Sequence, residues 1–301
     1  MLPWNIETVD FDSDAKLNNI RQSWLKGQWP EECFSCKNVE LSGNKSRRQT
    51  VESWATDNNI TDLSVELLRI DYWLGNTCNL RCPSCGPKES IAWQAELGIK
   101  SNVIKNKEWR NLNLEKLKWV HFTGGEPLLI DHIDFLNAIP NKNSVTVNYN
   151  TNATVRPKDN LLKVLEQFKL VQMDCSIDGI EERFEYLRYP AKWSTVKENL
   201  FWFRNTLPVN FMFDINATVS ILNTLTIDVT ENWFKENFNT NRLGDPVKFR
   251  KQNANGILSV DSNIKEVINY LDALDARRKT NWRETFPELV LLVSPNGEGH
   301  G

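Results

Sequence analysis

Three cysteines fall within eight residues in the stretch NTCNLRCPSCGPKES, residues 76 to 90, of a chain that holds only six. Cys78, Cys82 and Cys85 are an awkward number for the commonest uses of thiols, since a structural zinc takes four ligands and a disulfide joins two. Iron–sulfur clusters are held by thiolates, usually four for a cubane cluster. Three leave one iron open, and open positions mark reactive metal sites whereas closed ones are structural. Pro83 stiffens the turn and Gly86 frees the backbone near the last thiol. A zinc reading stands beside this one. Cys33-x-x-Cys36, earlier in the chain, could join Cys82-x-x-Cys85 in a four-thiolate site, with Cys78 left over.

A second element is GGEP, residues 124 to 127. Alone, a Gly-Gly turn with Glu and Pro simply ends a strand. Beside a cysteine loop it gains a meaning. Gly124 and Gly125 let a ligand approach the backbone closely, and their carbonyls with Glu126 would accept from a cationic amino group.

The elements that must position these residues alternate. Strands are expected at 67–74, 118–125, 145–152, 170–178 and 209–221, with a short sixth at 245–251. Helices are expected at 90–98, 132–139, 161–168, 180–187, 196–205 and 229–238, which implies parallel βαβ units. Within the strands one face is apolar and the other polar. Asn148 and Asn150 oppose Val147 and Tyr149, Asp174 and Ser176 oppose Met173 and Cys175, and Asp214 opposes Phe213 and Ile215. A doubly wound sheet, covered on both faces, would give near-continuous apolar runs instead. A curved parallel sheet with helices outside and a polar lumen fits, and sites in such barrels lie at the C-terminal strand ends. Both the cysteine loop and GGEP follow strands at that end.

The spacing Cys78-x-x-x-Cys82-x-x-Cys85 followed by GGEP resembles the radical S-adenosylmethionine (radical SAM) superfamily over roughly residues 66 to 222. SIDG (176–179), TNAT (151–154) and Arg188 in FEYLRYP match further family elements in order. The resemblance implies a partial (β/α)6 TIM-like barrel. It also implies a [4Fe-4S] cluster on Cys78, Cys82 and Cys85, and S-adenosylmethionine chelated at the open iron and cleaved to a 5′-deoxyadenosyl radical. By the same resemblance Gly124, Gly125, Glu126, Asn150, Ser176, Asp178 and Arg188 hold that cofactor. One departure is Ser84, where relatives carry an aromatic residue before the third cysteine.

WPEECFSCKNVELSGNKSRR resembles the segment preceding the barrel in a phage- and marine-type subgroup with a shortened auxiliary-cluster (twitch) domain. There Cys33 and Cys36 would belong to a second metal site, although two thiolates do not close a cubane cluster. Cys175 faces the helix layer and is expected as a buried free thiol. Residues 271–289 read as one helix, 294–301 as a frayed end, and the basic stretch 43–49 as a solvated loop. The expected organisation is an extension at 1–62, the barrel at 63–255 and a helical tail at 256–301.

The 301 residues carry a formal net charge of −3, so nothing points to nucleic acid. No 18-residue apolar run or signal peptide is recognisable, which makes a reducing cytoplasm, a host's included, the expected location. The lumen residues Asp214, Asp174 and Asn148 are candidates for substrate binding or proton transfer. Expected partners are an electron donor such as flavodoxin or ferredoxin and a peptide or small-molecule substrate. Within enzymes a sugar or nucleotide precursor is the alternative substrate; outside them, a zinc-stabilised binding module without catalysis is the alternative.

Overall fold

The computed structural model describes residues 15–60, 66–241 and 244–293; the end expected to fray, 294–301, lies outside them. The chain divides into two compact units, residues 1–67 and 68–301.

In the first unit three helices follow one another, α1 (Ala15–Leu25), α2 (Phe34–Leu41) and α3 (Arg47–Asp57). Ser46 and Gln49 form a capping box at the start of α3, each side chain bonding the other's backbone N–H. Glu40 accepts from the Ser46 hydroxyl at 2.6 Å and from Arg48 at 2.8 and 2.9 Å. The Arg48 guanidinium in turn lies 5.4 and 5.3 Å from the rings of Trp24 and Trp29. Gly43, Asn44, Lys45 and Arg47 of the basic stretch are exposed as a solvated loop would be, whereas Arg48 is a hub of this unit, because it is planar enough to stack while its edge meets a carboxylate.

The second unit is built on six parallel strands in the order β1 to β6: β1 (Arg69–Trp73), β2 (Trp119–Thr123), β3 (Thr146–Thr151), β4 (Leu170–Ser176), β5 (Phe211–Val219) and β6 (Phe249–Asn253). The helices α4 (Ile91–Glu96), α5 (Ile133–Ala138), α6 (Asp159–Leu165), α7 (Glu181–Leu187), α8 (Trp193–Thr206) and α9 (Ile227–Asn237) lie between them in sequence. Alternation sorts the strand faces as expected. Tyr72, Val120, Phe122, Val147, Tyr149, Met173, Cys175, Phe213 and Ile215 are at most 2% exposed and form the core beneath the helices. Their alternates line the lumen in rungs fixed by the register: Asp71–His121–Asn148–Gln172, then Asn150–Asp174–Asp214, then Ser176–Asn216–Arg250. Successive rungs are about 7 Å apart along the strands, and the last is nearest the C-terminal rim.

The segment 271–289, expected as one helix, is three pieces: α10 (Ile264–Arg278), α11 (Trp282–Thr285) and α12 (Pro287–Val293). Lys279 closes α10 in the left-handed conformation, and Asn281 caps α11 by accepting from Arg283 N–H. The break lets Trp282 and Phe286 turn inward. With Val267, Leu271 and Leu289 they pack on Tyr186, Leu187, Leu222 and Leu258. Each such large side chain contributes about 1.5–3 kcal/mol by leaving water, so this segment closes an apolar cluster against α7 and the turn after β5.

One polar group in the core beneath the sheet's helices is held neutral. His132, 5% exposed, has its Nδ1 2.7 Å from the Ile130 carbonyl and its Nε2 2.7 Å from the Tyr149 hydroxyl. The carbonyl can only accept, so Nδ1 carries the proton and Tyr149 donates to Nε2. Burial lowers the imidazole pKa from 6.5 to about 4. Between these values the unfolded chain binds the proton and the folded one does not. The contribution is therefore complete above pH 6.5 and is lost as pH falls toward 4, by on the order of 3 kcal/mol. Urea unfolding at pH 7, 5.5 and 4 should show that component in the wild type and lack it in His132→Gln. Equal pH slopes for the two proteins would contradict the assignment.

Candidate active site

The cysteine loop leaves β1 and is seated on the GGEP turn that leaves β2. Gly125 N–H donates to Gly75 O and Glu126 N–H to Thr77 O, both at 2.8 Å. The approach leaves no room for side chains. A Cβ on Gly124, whose φ is +123°, would lie 2.5 Å from Gly75 O, and one on Gly125 would lie 2.3 Å from Thr77 O. What the glycines admit here is the backbone of the cysteine loop itself. Glu126, expected to face a cofactor amino group, is fully buried beneath the turn. Its carboxylate accepts from Leu128 N–H at 3.1 Å, the Thr151 hydroxyl at 2.9 Å and Asn152 N–H at 2.6 Å. It thus staples the ends of β2 and β3 together, and burial pushes its pKa up to about 7 against the three donors.

The end of β3 then reaches the loop. Asn152 donates to Asn79 Oδ1 at 3.0 Å and lies 3.9 Å from Cys78 Sγ, while Asn79 donates to Thr154 at 2.9 Å. On the other side, Ser90 caps α4 and bonds Leu80 O at 2.6 Å, and Trp93 Nε1 bonds Cys82 O at 3.0 Å. Tyr270 of α10 donates to Pro83 O at 2.7 Å. Arg278, near the end of α10, meets Glu96 at 3.1 Å and lies 4.7 and 4.8 Å from the rings of Trp93 and Tyr189.

Arg188, just past α7, sits where the loop needs a cation. Its NH2 pairs with Asp178 at 2.7 Å and its NH1 lies 4.0 Å from Cys82 Sγ. Burial works against its charge, yet Asp178 and Cys82 hold its pKa above the ordinary arginine value. Its Nε is buried with no partner among the described residues, which leaves a donor for a group brought by a ligand. Asp178 is 3% exposed, and its other oxygen accepts from Thr218 N–H at 2.7 Å. Expected among the residues that hold the cofactor, it holds Arg188 in place. Ser176 and Asn150, on the lumen face of β4 and β3, are partly exposed.

The three thiols share one neighbourhood. Cys82 is buried, Cys78 partly so, and Cys85 lies on the exposed side. Burial raises the pKa of all three, Cys82 to about 12 although Arg188 opposes the shift. Bare, they are neutral near pH 7; a metal would displace the protons and supply the missing countercharge. Among the described residues no three His, Cys, Asp or Glu side chains converge on a point that would hold one ion. A multinuclear cluster does not ask for that convergence, because each thiolate binds its own iron. With N–H donors aimed at Cys78 and Cys82, a thiolate-held cluster fits the residues present.

Deeper in the lumen the three candidates Asn148, Asp174 and Asp214 come together in one network. Asn148 donates to Asp174 at 3.0 Å, and Gln172 bonds Asp174 at 2.9 Å and Asp214 at 3.2 Å. Arg250 of β6 bridges the two carboxylates at 3.1 and 2.5 Å, and Asp214 also accepts from Lys248 N–H at 2.8 Å. Arg250 and Gln172 were not singled out in the sequence, although Arg250 has the lumen phase in KFRK. Tyr270 and Trp93, as braces of the loop, carried no pattern of their own, whereas Asn152 lies in the TNAT element. Cys33 and Cys36, in the first unit, lie one helical turn apart, half-buried and unbonded to sulfur.

A family profile described as Radical SAM superfamily matches residues 74–228. The chain belongs to the radical SAM superfamily. Membership implies a [4Fe-4S] cluster and S-adenosylmethionine. Similar solved structures include native anSMEcpe with bound AdoMet (TM-score 0.47, 20% identity, covering 70% of this chain and 59% of that one). Two others are Streptococcus suis SuiB bound to precursor peptide SuiA (0.45, 15%, 90% and 65%) and SuiB bound to S-adenosylmethionine (0.41, 14%, 93% and 64%). The chain thus spans less than two thirds of the length of each. No curated protein matches it. No helix among the described residues is long and apolar enough to cross a membrane.

Replacing Gly125 by Ala tests the seating of the loop, because a Cβ 2.3 Å from Thr77 O must push the backbone away. The variant should keep its far-ultraviolet spectrum yet take up less than about half the iron of the wild type on anaerobic reconstitution. Full iron uptake would show that the loop does not depend on the contact.

Proposed function

We propose that this chain reductively cleaves S-adenosylmethionine and passes the resulting radical to a substrate in the barrel lumen. The observation that carries the reading is the three-thiol loop seated on the Gly124–Gly125 turn, with N–H donors of Arg188 and Asn152 at two of its sulfurs. In this reading Cys78, Cys82 and Cys85 ligate the cluster, and the cluster with S-adenosylmethionine supplies a 5′-deoxyadenosyl radical that abstracts hydrogen. The protein's own share is placement. The Gly124 and Gly125 carbonyls take the amino group, Ser176 and Asn150 take the ribose side, and Arg188, aimed by Asp178, offers its free Nε–H to the carboxylate.

Asp174, Asp214 and Arg250 are read as the lumen wall facing the substrate. A peptide is the substrate class we carry forward, on the likeness of the first unit to the auxiliary-cluster subgroup. That subgroup reading, a second metal site at Cys33 and Cys36 and a reducing intracellular location belong to the same proposal. Asp214 is 1% exposed with its oxygens engaged, so its part is to fix Arg250 rather than to move a proton.

Anaerobic reconstitution should load about four irons per chain at this loop. The product with dithionite and S-adenosylmethionine should be 5′-deoxyadenosine. Replacing Cys78, Cys82 and Cys85 by Ala should abolish both the brown absorbance and the product. A chain that takes up zinc and never iron would favour a zinc-stabilised binding module and defeat this reading.

A further inference from the structure

The turn that follows Cys85 reads GPKES, residues 86–90. Pro87 at its second position favours a tight reversal, and Glu89 N–H closes it on Gly86 O at 3.1 Å. Ser90 N–H shares that acceptor at 3.2 Å, and the Ser90 hydroxyl ties the end of the turn to Leu80 O, between the first two cysteines, at 2.6 Å. Cys85 Sγ lies 4.0 Å from the same Gly86 carbonyl. The reversal therefore brings Glu89 back beside Cys85. Its carboxylate accepts from Trp73 Nε1 at 3.3 Å. Trp73 ends β1 on the lumen face it shares with Asp71, so this bond links the turn to the C-terminal end of the first strand.

Glu89 is half-buried, and the group that meets it is a neutral indole, which orients its charge without cancelling it. Burial raises the pKa of the Cys85 thiol, Glu89 raises it further, and Arg188 opposes both. Arg188 is itself matched by Asp178 at 2.7 Å. Lys88 is exposed to water, where its charge is screened. The surplus charge at this edge of the loop is thus negative. Reduction adds negative charge to a cluster already held by thiolates, and a neighbouring carboxylate opposes that addition. Resting on the reading of the preceding section, we infer that Glu89, aimed by Trp73, is a positioning residue that lowers the reduction potential of the cluster on Cys78, Cys82 and Cys85. In turnover an external one-electron reductant gives up one electron. That electron is spent on the sulfonium C–S bond, which parts into methionine and the 5′-deoxyadenosyl radical. A lower potential makes the electron harder to load and drives it more strongly into that bond.

The test is a redox titration of the full reconstituted chain with dithionite and mediators, followed by the electron paramagnetic resonance signal of the reduced cluster. Each variant should first load the wild-type amount of iron. Glu89→Asp keeps the charge, and its midpoint should stay near the wild type. Glu89→Gln keeps the shape and loses the charge, and at a fixed potential its reduced-to-oxidised ratio should rise about threefold. Glu89→Lys reverses the charge, and its ratio should rise about tenfold, which is 59 mV for one electron. Release of 5′-deoxyadenosine per reduced cluster should nevertheless be slower in Glu89→Gln than in Glu89→Asp, and slowest in Glu89→Lys. A merely structural side chain would give another ranking, with Glu89→Gln harmless and the shorter Glu89→Asp damaging. That ranking, or midpoints that do not follow charge, would overturn the proposal. Should Glu89→Lys fail to load iron, the comparison of Glu89→Asp with Glu89→Gln still decides. An iron-loaded wild type that never releases 5′-deoxyadenosine would defeat the S-adenosylmethionine reading, while the midpoints would still decide the role of Glu89. A wild type that takes up zinc and never iron would defeat both.

Discussion

Two amide groups with nothing between them and their acceptors govern the architecture of the site. The Gly125 and Glu126 N–H groups reach Gly75 O and Thr77 O at 2.8 Å, and neither contact survives a side chain at the glycines. Burying backbone polar groups is tolerated only when they are paired, so the loop and the turn are obliged to satisfy each other. Glu126 then extends the constraint to β3. A carboxylate with no exposure costs several kcal/mol unless donors surround it, and its three donors include the Asn152 N–H whose side chain reaches the cysteine loop. The loop, the second strand and the third strand thus share one hydrogen-bonded unit, built from local chemistry.

The fold was largely legible in the sequence because its period is simple. Alternation of Asn148 with Val147 and Tyr149, or of Asp174 with Met173 and Cys175, distinguishes a one-sided sheet from a doubly covered one. The structure keeps every strand so identified. The tail was misread as one helix because its charge pairs continue past residue 279; a left-handed Lys279 leaves no mark in periodicity. Arg48 within loop 43–49 was misread for a similar reason. Charge alone suggests solvation, while Arg48 is engaged by two tryptophans and a glutamate that lie at a distance in the sequence.

At the site the sequence picked out positions that the fold brings together, but not what their side chains bond. Cysteine spacing is local, so the loop was plain. Glu126 and Asp178 were expected to touch a ligand because acids near a cofactor motif invite that reading, yet both are buried and spend their oxygens on protein donors. Whether a carboxylate faces a ligand or a neighbouring strand depends on which loops meet above it, and no single segment encodes that. Arg250 and Tyr270 illustrate the same limit: one closes a network across three strands, the other arrives from a helix far along the chain.

That last contact also orders events in time. Tyr270 bonds Pro83 O and Arg278 bonds Glu96 across 187 and 182 residues of sequence. Contacts of such separation close late, after the entropy of the intervening chain has been overcome. During synthesis the three thiols emerge from the ribosome long before the helix that braces their loop exists. The nascent loop is thus a thiol-rich segment awaiting its clamp, and metal loading is best matched to a chain already released.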